Sequence, residues 1–191
     1  MKRITLYVLV VTGILMLQGC VAAVIGAGAG VAKIASDPRT AGKQVDDTAI
    51  DSKISLKIKN ESDYFKGSRI VVSSYNGNVL LIGQASSQSV IDRVVELANG
   101  VDSVEKIYNQ IRIGNIISAG TMTNDAWITT NIKTKLIANK NTKARDIKVI
   151  TENGEVFLLG IVTRDEGYTA GDIASRVSGV KLVTKIFTYL D

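Results

Sequence analysis

The chain writes one structural plan twice, and this repetition limits the folds open to it. Tyr75-Asn76-Gly77-Asn78-Val79-Leu80-Leu81-Ile82-Gly83 recurs as Glu152-Asn153-Gly154-Glu155-Val156-Phe157-Leu158-Leu159-Gly160. Asn99-Gly100-Val101 recurs as Ser178-Gly179-Val180. Asp46-Asp47 followed by Ile50, Ile54 and Ile58 recurs as Asn124-Asp125 followed by Ile128, Ile132 and Leu136. These landmarks keep their order and nearly their separations, so the chain divides into copies at 46–113 and 124–191 joined by an uncharged linker, 114–123.

Each landmark has a local physical meaning. Asn-Gly between β-rich runs favours a type I′ hairpin turn, because both central residues need positive φ. Strands are therefore expected at 69–74 and 78–84, and again at 146–151 and 155–163. Asp46 and Asn124 are suitable helix N-caps, and apolar residues at i, i+4 and i+8 after them give the first helix one buried stripe. A second helix places Val90, Ile91, Val94, Val95 and Ala98 on one face, matched by Ala170, Ile173, Ala174 and Val177. Gly100 and Gly179 read as left-handed residues closing those helices. A third strand completes each copy. The expected class is α+β: two α-β-β-α-β modules, each a three-stranded mixed sheet with two helices. Units this small have thin cores, which favours packing of the copies on each other.

The N-terminus has a different logic. Lys2 and Arg3 precede an apolar stretch, Ile4 to Leu17, that ends in Leu17-Gln18-Gly19-Cys20. A charged start, a short apolar middle and a small residue before the cut describe a signal peptide over 1–19, and the stretch is too short for a spanning helix. Leu-Gln-Gly-Cys resembles the bacterial lipobox, in which the cysteine thiol receives diacylglycerol. The mature protein then starts at Cys20 with a flexible small-residue tether over 20–45. Val21 after the cysteine resembles the sorting rule for export to the outer membrane, with the periplasmic face as the default.

The residue inventory removes several chemistries. The chain has no histidine and a single cysteine, which excludes Ser-His-Asp triads, Cys-His dyads and His-based zinc sites. No catalytic residue, metal site or cofactor is expected. The best catalytic remnants would be carboxylates such as Asp46/Asp47 or Asp165/Glu166, and they read as ordinary acids at a helix cap and a loop. The net charge of +5 includes Lys2 and Arg3, so the mature chain is only mildly basic. No Lys/Arg run is dense enough for nucleic acid.

Two α-β-β-α-β modules carrying Asn-Gly-x-Val-x-Leu-x-Gly hairpins and a Gly-Val pair after the second helix resemble BON domains (bacterial OsmY and nodulation domains). The likeness extends to Asp37-Pro38-Arg39 and to Trp127-Ile128-Thr129-Thr130, and two such modules behind a lipobox resemble dual-BON outer-membrane lipoproteins. The resemblance implies a non-enzymatic protein that binds anionic phospholipid of the phosphatidylglycerol type through the first helix of its second module. It also implies roles in envelope integrity and at cell-division sites.

The residues point to the same helix independently. At 100° per residue Ile128, Ile132 and Leu136 form the buried stripe, and Trp127 falls about 140° from its centre. Thr130, Asn131, Thr134 and Ala138 share the outer face, Ile137 lies well off the core, and Lys133 and Lys135 flank the two sides. A tryptophan on an uncharged strip rimmed by lysines suits a membrane interface. In the first copy the position of Trp127 is held by Ala49. That copy has eight basic and nine acidic residues against ten and eight in the second, so only the second is net basic. Two other readings of the face stay open: cover by the first copy or another chain, and recognition of an envelope protein, with the chain acting as a docking module.

Overall fold

A computed structural model describes residues 37–190. The signal peptide, Cys20 and the tether up to residue 36 lie outside the described residues.

The elements run α1 (Ala41–Asn60), β1 (Arg69–Tyr75), β2 (Asn78–Ala85), α2 (Gln88–Asn99), β3 (Lys106–Ile113), then α3 (Ala119–Ala138), a short 3-10 turn (Ala144–Asp146), β4 (Ile147–Glu152), β5 (Glu155–Thr163), α4 (Arg164–Ser175) and β6 (Leu182–Leu190). Each module is the expected three-stranded mixed sheet, ordered β1-β2-β3 and β4-β5-β6. The hairpin strands are antiparallel, with Tyr75 opposite Asn78 and Glu152 opposite Glu155. The outer pairs β2–β3 and β5–β6 are parallel. Both hairpins turn through positive φ at Asn76, Gly77, Asn153 and Gly154, as a type I′ turn requires.

Two local expectations are corrected. The first helix of each module starts five residues before Asp46 and Asn124, at Ala41 and Ala119, reaching into the stretches read as tether and linker. The N-caps are Thr40, whose side chain accepts from Lys43 N–H, and Ser118, which accepts from Thr121 N–H. A serine or threonine cap is enough to move the start even with Gly42 or Gly120 in the first turn. The other correction concerns the glycines. Gly100 has φ −84° and is not left-handed, whereas Gly179 is (φ +86°) but lies beyond the end of α4. Lys57 Nζ donates to the Gly100 carbonyl at 2.7 Å, tying the end of α2 to α1.

Three apolar clusters hold the fold. One joins Ile50 and Ile54 of α1 and the inner face of α2 to Val79 and Leu81. A second joins Ile128, Ile132 and Leu136 to Val156 and Leu158. The third contains Leu80 and Ile82 from one module with Phe157, Leu159 and Ile186 from the other. Residues of β2 and β5 thus alternate between their own helices and the opposite sheet. The sheets pack face to face, with each module's helices on the outside. This explains the unbroken apolar runs 79–82 and 156–159, because a strand buried on both faces has no polar side.

Polar links fasten the seam. Arg69 Nη1 donates to both carboxylate oxygens of Glu152 at 2.6 Å, and Gln84 Nε2 donates to the same carboxylate at 2.8 Å. Tyr75 Oη donates to Asp146 O, and Arg112 pairs with Glu155. Arg39 pairs with Asp47 at 2.6 Å and lies 4.0 Å over the Tyr75 ring, fixing this part of the chain against the seam.

Candidate membrane interface

Helix α3 is 20 residues long, about 30 Å. Because the modules pack through their sheets, its outer face is left uncovered by the first module. Trp127 is 52% exposed and Ile137 76% exposed, while Ile128, Ile132 and Leu136 are completely buried. The face therefore divides as its periodicity predicts. Thr130, Lys133, Thr134, Lys135 and Ala138 are exposed with Trp127 and Ile137, and Asn131 is half-buried. Ile116, just ahead of the helix, is a further exposed apolar side chain.

The hydrogen bonding of this face was not legible in the sequence pattern. Thr130 Oγ1 donates to Ala126 O, Thr134 Oγ1 to Thr130 O and Asn131 Nδ2 to Trp127 O, all at 2.9–3.0 Å. Thr123 Oγ1 donates to Ala119 O in the same manner. Each threonine spends its hydroxyl proton, and Asn131 one of its two N–H groups, on the helix carbonyl one turn back. Entering a headgroup layer then strands neither threonine hydroxyl, which lowers the cost of leaving water.

The electrostatics are one-sided. The only acid of α3, Asp125, is 4% exposed. Its oxygens accept from Asn153 N–H at 2.6 Å and Gly154 N–H at 2.8 Å, so it serves the hairpin and not the surface. What α3 exposes as charge is Lys133 and Lys135, with Lys140 following its end. In α1 an acid is exposed, Asp46, while Asp51, the counterpart of Thr129, is half-buried and accepts from Ser74 N–H. Near the seam, Lys148 of β4 donates to Ser74 O at 3.1 Å and faces Asp51 at 3.9 Å. Burial pushes the Lys148 ammonium below its ordinary range; Asp51 opposes this, and Arg39 and Lys133 add to it. Burial likewise raises the Asp51 carboxyl.

One acid of each pair weighed as a catalytic remnant, Asp47 and Glu166, has structural employment. Asp47 holds the Asn76 and Gly77 N–H groups as Asp125 does in the second module. Glu166 and Thr163 form a reciprocal capping box at the start of α4. Among the described residues no helix is long and apolar enough to cross a membrane.

Comparison with known proteins agrees with this architecture. The BON domain family matches residues 46–115 and 124–191. The chain is 48% identical over 177 residues to the outer membrane lipoprotein DolP of Haemophilus influenzae, spanning 93% of this chain and 92% of that protein. It is 44% identical over 154 residues to a 21 kDa hemolysin of Actinobacillus pleuropneumoniae, spanning 81% and 79%. It is 30% identical over 154 residues to the osmotically-inducible protein Y of Escherichia coli, spanning 79% and 76%.

Proposed function

The chain belongs to the BON-domain family as an outer-membrane lipoprotein with two such domains, and on that premise we propose that it binds anionic phospholipid through α3. In this reading diacylglycerol on Cys20 anchors the mature protein, facing the periplasm, and α3 lies along the headgroup layer. Trp127 and Ile137 enter the interface, while Lys133 and Lys135 meet phosphates. The observation that carries the proposal is the pairing of a half-exposed Trp127 with a helix face that exposes no acid and whose Thr130 and Thr134 hydroxyl protons are spent on the helix's own carbonyls.

The energetics are those of a weak contact aided by tethering. Each lysine near an anionic surface contributes about 1 kcal/mol, and the anchor keeps the local concentration high. Support for envelope integrity and division-site localisation, implied by the family resemblance, follows here from attachment to anionic membrane regions.

The single tryptophan supplies the test. Residues 21–191, without the lipid, are titrated with phosphatidylglycerol or phosphatidylcholine vesicles while Trp127 emission is recorded. A blue shift confined to the anionic vesicles is expected. An emission maximum that does not move with either would refute the membrane reading and favour docking on an envelope protein.

A further inference from the structure

Beside α3 a cleft of about 390 Å³ opens between the modules. Its walls are Met122, Ala126, Thr129 and Thr130 of α3, Thr151 of β4 and Arg69 of the first module. At 100° per residue Ala126, Thr130, Lys133 and Ile137 fall along one flank of the helix. The cleft mouth therefore adjoins the proposed membrane face, with Lys133 one turn beyond Thr130 on the same flank.

The lining is largely apolar, with Ile117, Val149 and Ile150 beside the α3 residues, and its polar part is specific. Two acids border the cleft, and both are already engaged: Asp125 by the Asn153 and Gly154 N–H groups, Glu152 by Arg69 and Gln84. Arg69 uses only Nη1 for Glu152, so its Nε and Nη2 hold no partner among the described residues. Thr129 Oγ1 donates to Thr151 Oγ1 at 2.8 Å, which leaves the Thr151 proton available. The cleft thus offers hydroxyl groups and spare N–H donors around an ion pair that is neutral as a unit. An ammonium headgroup would face the Arg69 charge and a phosphate the Glu152 charge. A neutral polyhydroxyl group faces neither penalty and can both donate and accept.

We propose that this cleft seats the glycerol headgroup of a phosphatidylglycerol-type lipid, its phosphate resting by Lys133, an inference that rests on α3 lying on the membrane. Because Arg69 comes from the first module and the remaining walls from the linker side and the second, the headgroup is read at the seam. The first module then contributes to lipid selection through Arg69.

The test compares two lipids of equal charge, phosphatidylglycerol and phosphatidylmethanol, whose headgroups differ in the glycerol diol. Residues 21–191 contain every described element, and Trp127 emission reports binding. The wild-type chain is expected to bind phosphatidylglycerol vesicles about tenfold more tightly, the effect of one to two net hydrogen bonds. Ala126→Leu fills the mouth from an exposed helix position, and Thr129→Val removes a wall hydroxyl. Either variant, once shown folded by circular dichroism, should bind both lipids equally while keeping the full Trp127 blue shift at saturation. Equal wild-type affinity for the two lipids overturns the seat, as does a preference retained by both variants. No response of the wild-type chain to either anionic lipid would instead sink the membrane reading itself, so the two failures are distinguishable.

Discussion

Asp125 holds Gly154 from across the second module: its Oδ1 lies 2.8 Å from the Gly154 N–H, and its Oδ2 lies 2.6 Å from Asn153 N–H. Asp47 repeats this grip on Gly77 and Asn76 at 2.9 and 2.7 Å. The helix thereby closes its own module's hairpin, 28 and 29 residues downstream. Asp125→Ala leaves two turn N–H groups without their acceptor and should cost about 2–4 kcal/mol. Asp125→Asn keeps one acceptor oxygen and should cost less. Urea unfolding of the three proteins checks the order.

Two hairpin glycines are enforced by backbone proximity. A Cβ at Gly160 would lie 2.4 Å from Asp146 O, and one at Gly83 would lie 1.9 Å from Arg69 O. Gly160→Ala must push β4 away from β5 and should destabilise by about 3 kcal/mol. Gly114→Ala, with nothing within 4 Å, is the matched control and should leave the melting temperature nearly unchanged.

The face-to-face sheets predict one cooperative unit. Phe157, 1% exposed, is a large side chain of the seam. Trp127 emission reports only the second module, whereas far-ultraviolet circular dichroism reports both. In the wild-type chain the two transitions should coincide. Phe157→Ala should cost about 3–5 kcal/mol and separate the transitions, with the second module unfolding first.

The duplication provides internal controls for membrane binding. Lys133→Gln should weaken binding to anionic vesicles about fivefold, the loss of roughly 1 kcal/mol at the surface. Lys53→Gln, on the exposed face of α1, should have no effect. Ile137→Glu should abolish binding without loss of stability, since that side chain is 76% exposed. Vesicle co-sedimentation and thermal melts separate the two readouts.

The capping box of α4 makes an acid-limb prediction. Burial alone would raise the Glu166 carboxyl, but hydrogen bonds from Thr163 and the Lys143 charge bring it net below its ordinary value of 4.5. A lowered folded-state pKa means stabilisation fully present above pH 4.5 and lost as pH falls through the lower folded value. In Glu166→Gln this contribution to the pH dependence should disappear, so its urea midpoint should approach that of the wild type as the pH is lowered through that window.

Much of this was readable from the residues because it is local. The Asn-Gly turns need positive φ wherever they sit, so the hairpin positions followed from four residues. Ile128, Ile132 and Leu136 needed only helical periodicity to place Trp127 opposite them. The helix starts were misplaced because Asp47 and Asp125 sit beside good capping residues, yet serve turns far along the chain. No local rule distinguishes a carboxylate that caps its own helix from one that reaches a distant N–H.

The sequence by itself determined the duplication, the α+β modules, the hairpin turns and the apolar and polar faces of α3, since each depends on neighbours within a few residues. Only the tertiary structure decided that the sheets bury each other, that Arg69 meets Glu152 across the seam, and that a cleft opens there beside α3. The runs at 79–82 and 156–159 say that both faces of β2 and β5 are buried. They do not say against what, because hydrophobic burial is non-directional and takes its partner from the whole fold.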